Sequence, residues 1–169
     1  KGGSGTDASC LLIARGAKIN AVGTVDRPII FTSIADSTGL EVSNRGLWGG
    51  LIVLGKAPGS FKGDVSEYQI EGIPASDTRG LYGGNIPDDN SGILKYVSIR
   101  HGGISIGAGN EINGLTLAGV GNKTIIDNIE VYANVDDGIE FFGGTVNASN
   151  LIVWGQGDDG LDIDQSYSG

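Results

Sequence analysis

Short runs of apolar residues, broken by glycine and asparagine, recur along most of the chain: CLLIARGAKINAVG, PIIFTS, GLIVLG, ILKYVSIRHGGISIG, NGLTLAG, NIEVY, GIEFF, NLIVWG and GLDID. None places apolar residues at the i, i+3, i+4, i+7 positions over the length a helix needs. Several alternate with period two, which sends successive side chains to opposite faces of a strand. The pattern predicts an all-β chain.

Repeats decide whether such strands meander or coil, because self-similarity at a fixed period marks solenoids. Sliding the segment from Ile125 to Gly143 forward by about 22 residues places Asn128 on Asn150, Val131 on Val153, and Asp136-Asp137-Gly138 on Asp158-Asp159-Gly160. Ile129/Leu151, Tyr132/Trp154, Ile139/Leu161 and Glu140/Asp162 pair conservatively in the same shift. A unit of this length with two or three short strands and no helix predicts one turn of a parallel β-helix, which buries its apolar face only by stacking on the next turn.

Upstream the period stretches. Val97-Ser98-Ile99 precedes Ile129-Glu130-Val131 by about 32 residues, which reads as one turn plus an insertion of about ten that carries GLTLAG. Residues 56–92 show no sustained alternation and are rich in Gly, Pro, Asp and Ser, so they read as a long loop inserted in the coil. Loops of that length are usually functional or disordered. The echo RGLWGG at Arg45 and RGLYGG at Arg79 brackets part of the loop.

The 169 residues suffice for one domain with a real core, and residues 1–169 are read as a single β-helix domain. With no methionine and a start at Lys1, the sequence is expected to be an excerpt, so its first partner is the remainder of the same longer chain. Twenty acidic against 11 basic residues give a formal net charge of −9, which argues against nucleic acid and anionic membranes and favours cations. Runs such as LIVL fall far short of the roughly 20 apolar residues a transmembrane helix needs. Cys10 is the single cysteine, so no internal disulfide can form; it reads as a small buried apolar residue or as half of a bridge to a cysteine elsewhere.

Candidate chemistry gathers on the acidic repeat. If Ile139 and Phe141 point inward, Glu140 and Phe142 point out, and Leu161/Ile163 and Asp162/Asp164 divide the same way. Strands stacked about 4.8 Å apart would set Glu140 over Asp162 and bring Asp136, Asp137, Asp158 and Asp159 to the same edge. Like charges at that distance repel by roughly 1 kcal/mol per pair in water, and by more where solvent is partly excluded. A Ca²⁺ ion, which takes six to eight oxygens, would offset the repulsion and makes these six residues candidate metal ligands. Two other readings stay open. Asp-Asp-Gly is also ordinary turn chemistry, and carboxylates on successive turns could serve as a catalytic acid and base.

Aromatic residues give a second set. Tyr132 and Trp154 share a register position one turn apart and face outward by alternation, so they are expected to stack, either to hold a sugar ring or beneath a cover. Trp48 and Tyr82, in the two echoes, carry the same choice. His101, the sole histidine, is followed by two glycines and reads as a turn residue. GGSGTD at Gly2–Asp7 fits the start of a calcium-binding nonapeptide repeat, but in a single copy it reads as a linker.

The segments LLIARGAKINAVGTVDRPIIFTS, LWGGLIVLGKAP, EGIPA, YGGNIPDDNSGILKYVSIRHGG, GNEINGLTLAGVG, DDGIEFFGGTV and DDGLDIDQ together resemble a family of right-handed parallel β-helix domains. That family occurs in large secreted or cell-surface proteins of Gram-negative bacteria, notably Bacteroidota. The resemblance implies a fold and an extracellular or outer-surface location, and no reaction. GQGDDGLDI is also similar to the paired-aspartate motif of pectin hydrolases, but that family's Asn-Thr-Asp, Gly-His-Gly and Arg-x-Lys segments are missing. The expectation is a non-catalytic extracellular scaffold or binding module that takes Ca²⁺, a glycan or another surface protein. A polysaccharide lyase or glycosidase using Asp158, Asp159 or Asp162 is the rival, and an architectural filament or secretion-cargo segment the third reading.

Overall fold

The computed structural model describes residues 9–107 and 109–169. Its strands are β1 (Leu11–Ile13), β2 (Ile19–Val22), β3 (Ile29–Phe31), β4 (Leu51–Leu54), β5 (Tyr68–Gln69), β6 (Leu81–Tyr82) and β7 (Gly92–Arg100), followed by β8 (Ile104–Gly107), β9 (Asn110–Ile112), β10 (Leu115–Ala118), β11 (Ile125–Tyr132), β12 (Ile139–Phe142), β13 (Ala148–Trp154) and β14 (Leu161–Asp164). Two parallel sheets carry the architecture. Sheet A runs β1-β4-β10-β12-β14, and sheet B runs β13-β11-β7-β2 with β3 also paired to β7. Apart from two antiparallel hairpins, β5–β6 and β8–β9, the chain passes from one sheet to the other and back.

The repeat seen in sequence is the register of the sheets. Ile129 pairs with Leu151, Tyr132 with Trp154, Ile139 with Leu161 and Glu140 with Asp162. Inward side chains of the two sheets, among them Leu51, Leu115, Ile139 and Phe141 from sheet A and Val97, Ile99, Ile129 and Val131 from sheet B, close one buried cluster.

A second cluster lies on the other face of sheet A, and the sequence pattern does not announce it. Ile52, Leu54, Ala118 and Phe142 point away from the coil and are covered by Phe61, Ile70 and Tyr82, from the stretch between β4 and β7, and by Ile104 and Ile112 from β8–β9. Burial on both faces is why Leu51–Leu54 and Leu115–Ala118 are almost wholly enclosed and read as continuous or weakly alternating runs. GLTLAG is therefore a rung of sheet A, paired to β4 and β12. The added residues between β7 and β11 are the β8–β9 hairpin instead, whose shorter alternation gives a weaker signal.

Left-handed residues make the bends. Tyr96, Asn128 and Asn150 (φ 50°, 55° and 54°) bend successive strands of sheet B at equivalent positions. His101, Ala133 and Gly155 (φ 57°, 58° and 75°) turn the chain out of that sheet. A different constraint acts at Gly114 and Gly138, the glycines before β10 and β12. Gly138 does not have a positive φ, yet a Cβ there would stand 2.2 Å from Val153 Cγ1 and 2.7 Å from the Gly160 carbonyl oxygen. That carbonyl accepts from the Ile139 amide at 3.1 Å, and Gly114 and Leu115 repeat the arrangement against Gly138. The glycine of the first Asp-Asp-Gly, Gly138, thus serves close approach between turns.

Candidate functional site

The acidic repeat folds into one junction. Carboxylate oxygens of Asp136, Asp137 and Asp158 come within 4.8 Å of one another, and so do those of Asp137, Glu140 and Asp162. Asp137 belongs to both groups. Asp136 and Asp137 precede β12, Asp158 precedes β14, and Glu140 and Asp162 are direct register partners on those strands. Asp159 contributes through its backbone: its amide donates to Asp137 Oδ1 at 2.9 Å, while its carboxylate joins neither group. The reason is local, because an amide on one turn faces the carboxylate one turn back.

Two acids from outside the repeat complete the junction. Glu71 follows β5 in the cover of sheet A, and Glu111 lies on β9. They are brought together where the Gly72 amide donates to Asn110 Oδ1 at 2.7 Å. No sequence signal pointed to them, since neither recurs with the coil and each sits in a segment whose position depends on packing against sheet A.

Burial and mutual repulsion hold these groups above the ordinary carboxylate range. Glu140 is 7% exposed. Its burial, together with the charges of Glu71, Asp137 and Asp162, pushes it up to about 9, against the opposing pull of an Asn113 hydrogen bond. Burial, then the charges of Glu111 and Asp136, raise Glu71 to about 7. Burial, Asp137 and Glu111 raise Asp136 to about 6. Asp137 is raised as well, chiefly by burial. Glu140 points out from the coil as expected, yet it and Asp137 are buried beneath the segments over sheet A.

The charges that act most strongly on these four groups are other carboxylates. Asn113 is fully buried and donates from Nδ2 to Glu140 Oε2, while its Oδ1, on the same amide, has no hydrogen-bond partner. Asn134, also buried, donates to the Asp137 carbonyl at 2.7 Å and likewise leaves Oδ1 unpartnered. An oxygen-rich, electron-rich pocket with orphaned amide oxygens is the donor set a hard cation takes, and no softer ligand intrudes.

The four aromatic candidates separate. Tyr132 and Trp154 meet edge to face, with centroids 5.6 Å apart and planes at 70°, rather than stacking in parallel. Trp154 is 67% exposed, whereas Tyr132 is half-buried against the ring of buried His101. Trp48 and Tyr82 are not part of an exposed ladder. Trp48 is buried with its indole N–H donating to the Arg100 carbonyl at 2.7 Å, and Tyr82, part of the cover of sheet A, is buried against it with its hydroxyl donating to Gln165 Oε1 at 2.7 Å. Large rings are removed from water where a cover exists, and both polar tips find acceptors inside it. His101, in a left-handed turn, has Nδ1 2.6 Å from the Asn44 carbonyl oxygen. Cys10 packs at the margin of the outer cluster, and burial raises its thiol. The Gly2–Asp7 segment lies outside the described residues.

Two parallel sheets with the chain passing between them define a protein of the parallel β-helix class. The chain matches the family described as a pectate-lyase like beta helix domain over residues 2–169, and it belongs to that family. No curated protein and no solved structure matches it. Among the described residues no helix is long and apolar enough to cross a membrane.

Proposed function

We propose that the chain is a non-catalytic binding scaffold of a secreted or outer-surface bacterial protein, and that its acidic junction holds Ca²⁺. In this reading residues 1–169 form a single right-handed coil of about 22 residues per turn, part of a longer chain, with residues 56–92 as a long inserted loop. One observation carries the metal assignment: two carboxylate triads share Asp137 and lie beside a buried, unpartnered Asn113 oxygen. Asp136, Asp137, Glu140, Asp158 and Asp162 supply carboxylates, with Glu71 and Glu111 at the rim. Bound Ca²⁺ would then tie the cover of sheet A to the coil and stabilise the native state by mass action.

The test is thermal melting of the protein in EDTA and in millimolar Ca²⁺, beside Asp136→Asn/Asp158→Asn. A Ca²⁺-dependent rise that the double variant loses supports the site. Equal melting temperatures in EDTA and Ca²⁺ would return the repeated Asp-Asp-Gly to a purely structural role.

The family description favours a second reading, a lyase or glycosidase acting on acidic glycans. Against it stands the enclosure of Glu140 and Asp137, which leaves an extended polysaccharide little access to them. Product from a panel of polyuronates with Ca²⁺ present, abolished in Asp158→Asn/Asp162→Asn with the fold intact, would establish the enzyme and displace the scaffold reading.

A further inference from the structure

The outer face of sheet B carries a groove that the acidic junction does not use. Two register rows cross it: Ser98, Glu130 and Ile152 in one, Arg100, Tyr132 and Trp154 in the next. Two hollows, of about 350 and 310 Å³, lie along this face and adjoin at Arg100 and Glu130, which line both. Val25 and Pro28 border one end, and Asp36 and Leu40 face Trp154 at the other. The left-handed bends at Asn128 and Asn150 place those two amide-bearing residues along the first hollow.

The polar floor is fixed in advance. Arg100 Nε donates to Ser98 Oγ at 2.7 Å, Arg100 Nη2 lies 3.2 Å from Glu130 Oε2, and the Ser98 hydroxyl donates to the same carboxylate oxygen. Both charged side chains remain partly open to solvent, 34% and 40% exposed. They can therefore still bind outward while their geometry is held. A planar donor set and a planar acceptor set side by side match the vicinal hydroxyls of a pyranose, and the exposed Trp154 ring offers an apolar platform for its C–H face.

Charge selects the class. Glu130 neutralises Arg100, and among the described residues no other lysine or arginine lines either hollow, so the groove offers no unpaired guanidinium or ammonium to a uronate or sulfate. The net charge of −9 further disfavours a polyanion. We propose that this groove binds an uncharged oligosaccharide, with Trp154 as the stacking platform and Arg100 and Glu130 as the hydroxyl-binding pair. It is on the opposite sheet from the carboxylate triads and stands or falls independently of them.

The two tryptophans give the assay. Trp48 is buried and Trp154 is exposed, so contact with sugar changes the emission of Trp154 against a constant Trp48 background. The protein is titrated with neutral gluco-, manno- and xylo-oligosaccharides of six or so units and with oligogalacturonate, in EDTA, by fluorescence and calorimetry. Expected is saturable binding of at least one neutral oligosaccharide, weakened tenfold or more in Trp154→Ala and in Glu130→Gln, with circular dichroism unchanged. No neutral ligand across the panel, neutral binding that survives both substitutions, or binding of oligogalacturonate alone would each overturn the proposal. So would failure of every sugar alongside protection of Trp154 by a protein partner.

Discussion

The amide of Asp159 donates to Asp137 Oδ1 at 2.9 Å, so the second aspartate of one repeat caps the backbone of the same position in the next. The aspartates recur together and yet do different work. Asp137 spends one contact on the fold and remains in both carboxylate triads, whereas Asp159 supplies an N–H and leaves its side chain exposed.

The raised acids set a pH dependence. Asp136, Glu71 and Glu140 titrate near 6, 7 and 9 in the folded chain, above their ordinary values near 4. The folded state therefore holds more protons than the unfolded state across this window, and stability falls as pH rises through it. In EDTA the melting temperature should drop from pH 5 to pH 9, while the increment from Ca²⁺ grows as protons cease to compete. An EDTA melting temperature that climbs over this range would contradict the enclosed junction.

Glu140→Gln supplies, without holding a proton, the neutral side chain that burial imposes on Glu140 at pH 8, and it keeps the shape and an acceptor for Asn113. Without Ca²⁺ at pH 8 the variant should be more stable than the parent, by an amount on the order of a few kcal/mol. It should also lose most of its response to Ca²⁺. Denaturant unfolding in EDTA and in Ca²⁺ reads both effects, and a destabilised variant in EDTA would show that Glu140 is held ionised by a partner.

The two glycines of Asp-Asp-Gly should respond differently. A Cβ on Gly138 meets Val153 and the Gly160 carbonyl of the next turn, whereas one on Gly160, which precedes the edge strand β14, has only Gln156 Nε2 at 3.7 Å. Gly138→Ala is expected to cost roughly 1–3 kcal/mol, as overpacking does, and Gly160→Ala less than about 0.5 kcal/mol. Equal losses in urea melts would mean that backbone conformation, rather than close approach, selects glycine here.

Phe61 joins the cover to sheet A, with its ring 5.7 Å from Tyr68 and 5.4 Å from Tyr82. Phe61→Ala should cost about 3–5 kcal/mol if the cover and coil unfold together. If the cover opens on its own, limited proteolysis will cut between residues 56 and 91 while melting of the coil barely shifts. Either pattern measures how tightly Glu71 is held over the junction.

The all-β character, the alternation of sheets and the pairing of Asp136 with Asp158 and of Tyr132 with Trp154 were legible in the sequence. Stacked turns place chemically equivalent residues on one another, so spatial register appears as linear period. Tertiary structure decided what a period cannot encode. Whether an outward side chain meets water or a cover depends on segments outside the repeat, which is why Glu140 and Phe142 are buried while Trp154, on the edge strand β13, is not. Glu71 and Glu111 reach the acidic junction by the same route: the cover is held by apolar contacts to sheet A, and packing, unlike stacking, leaves no recurring mark in the chain.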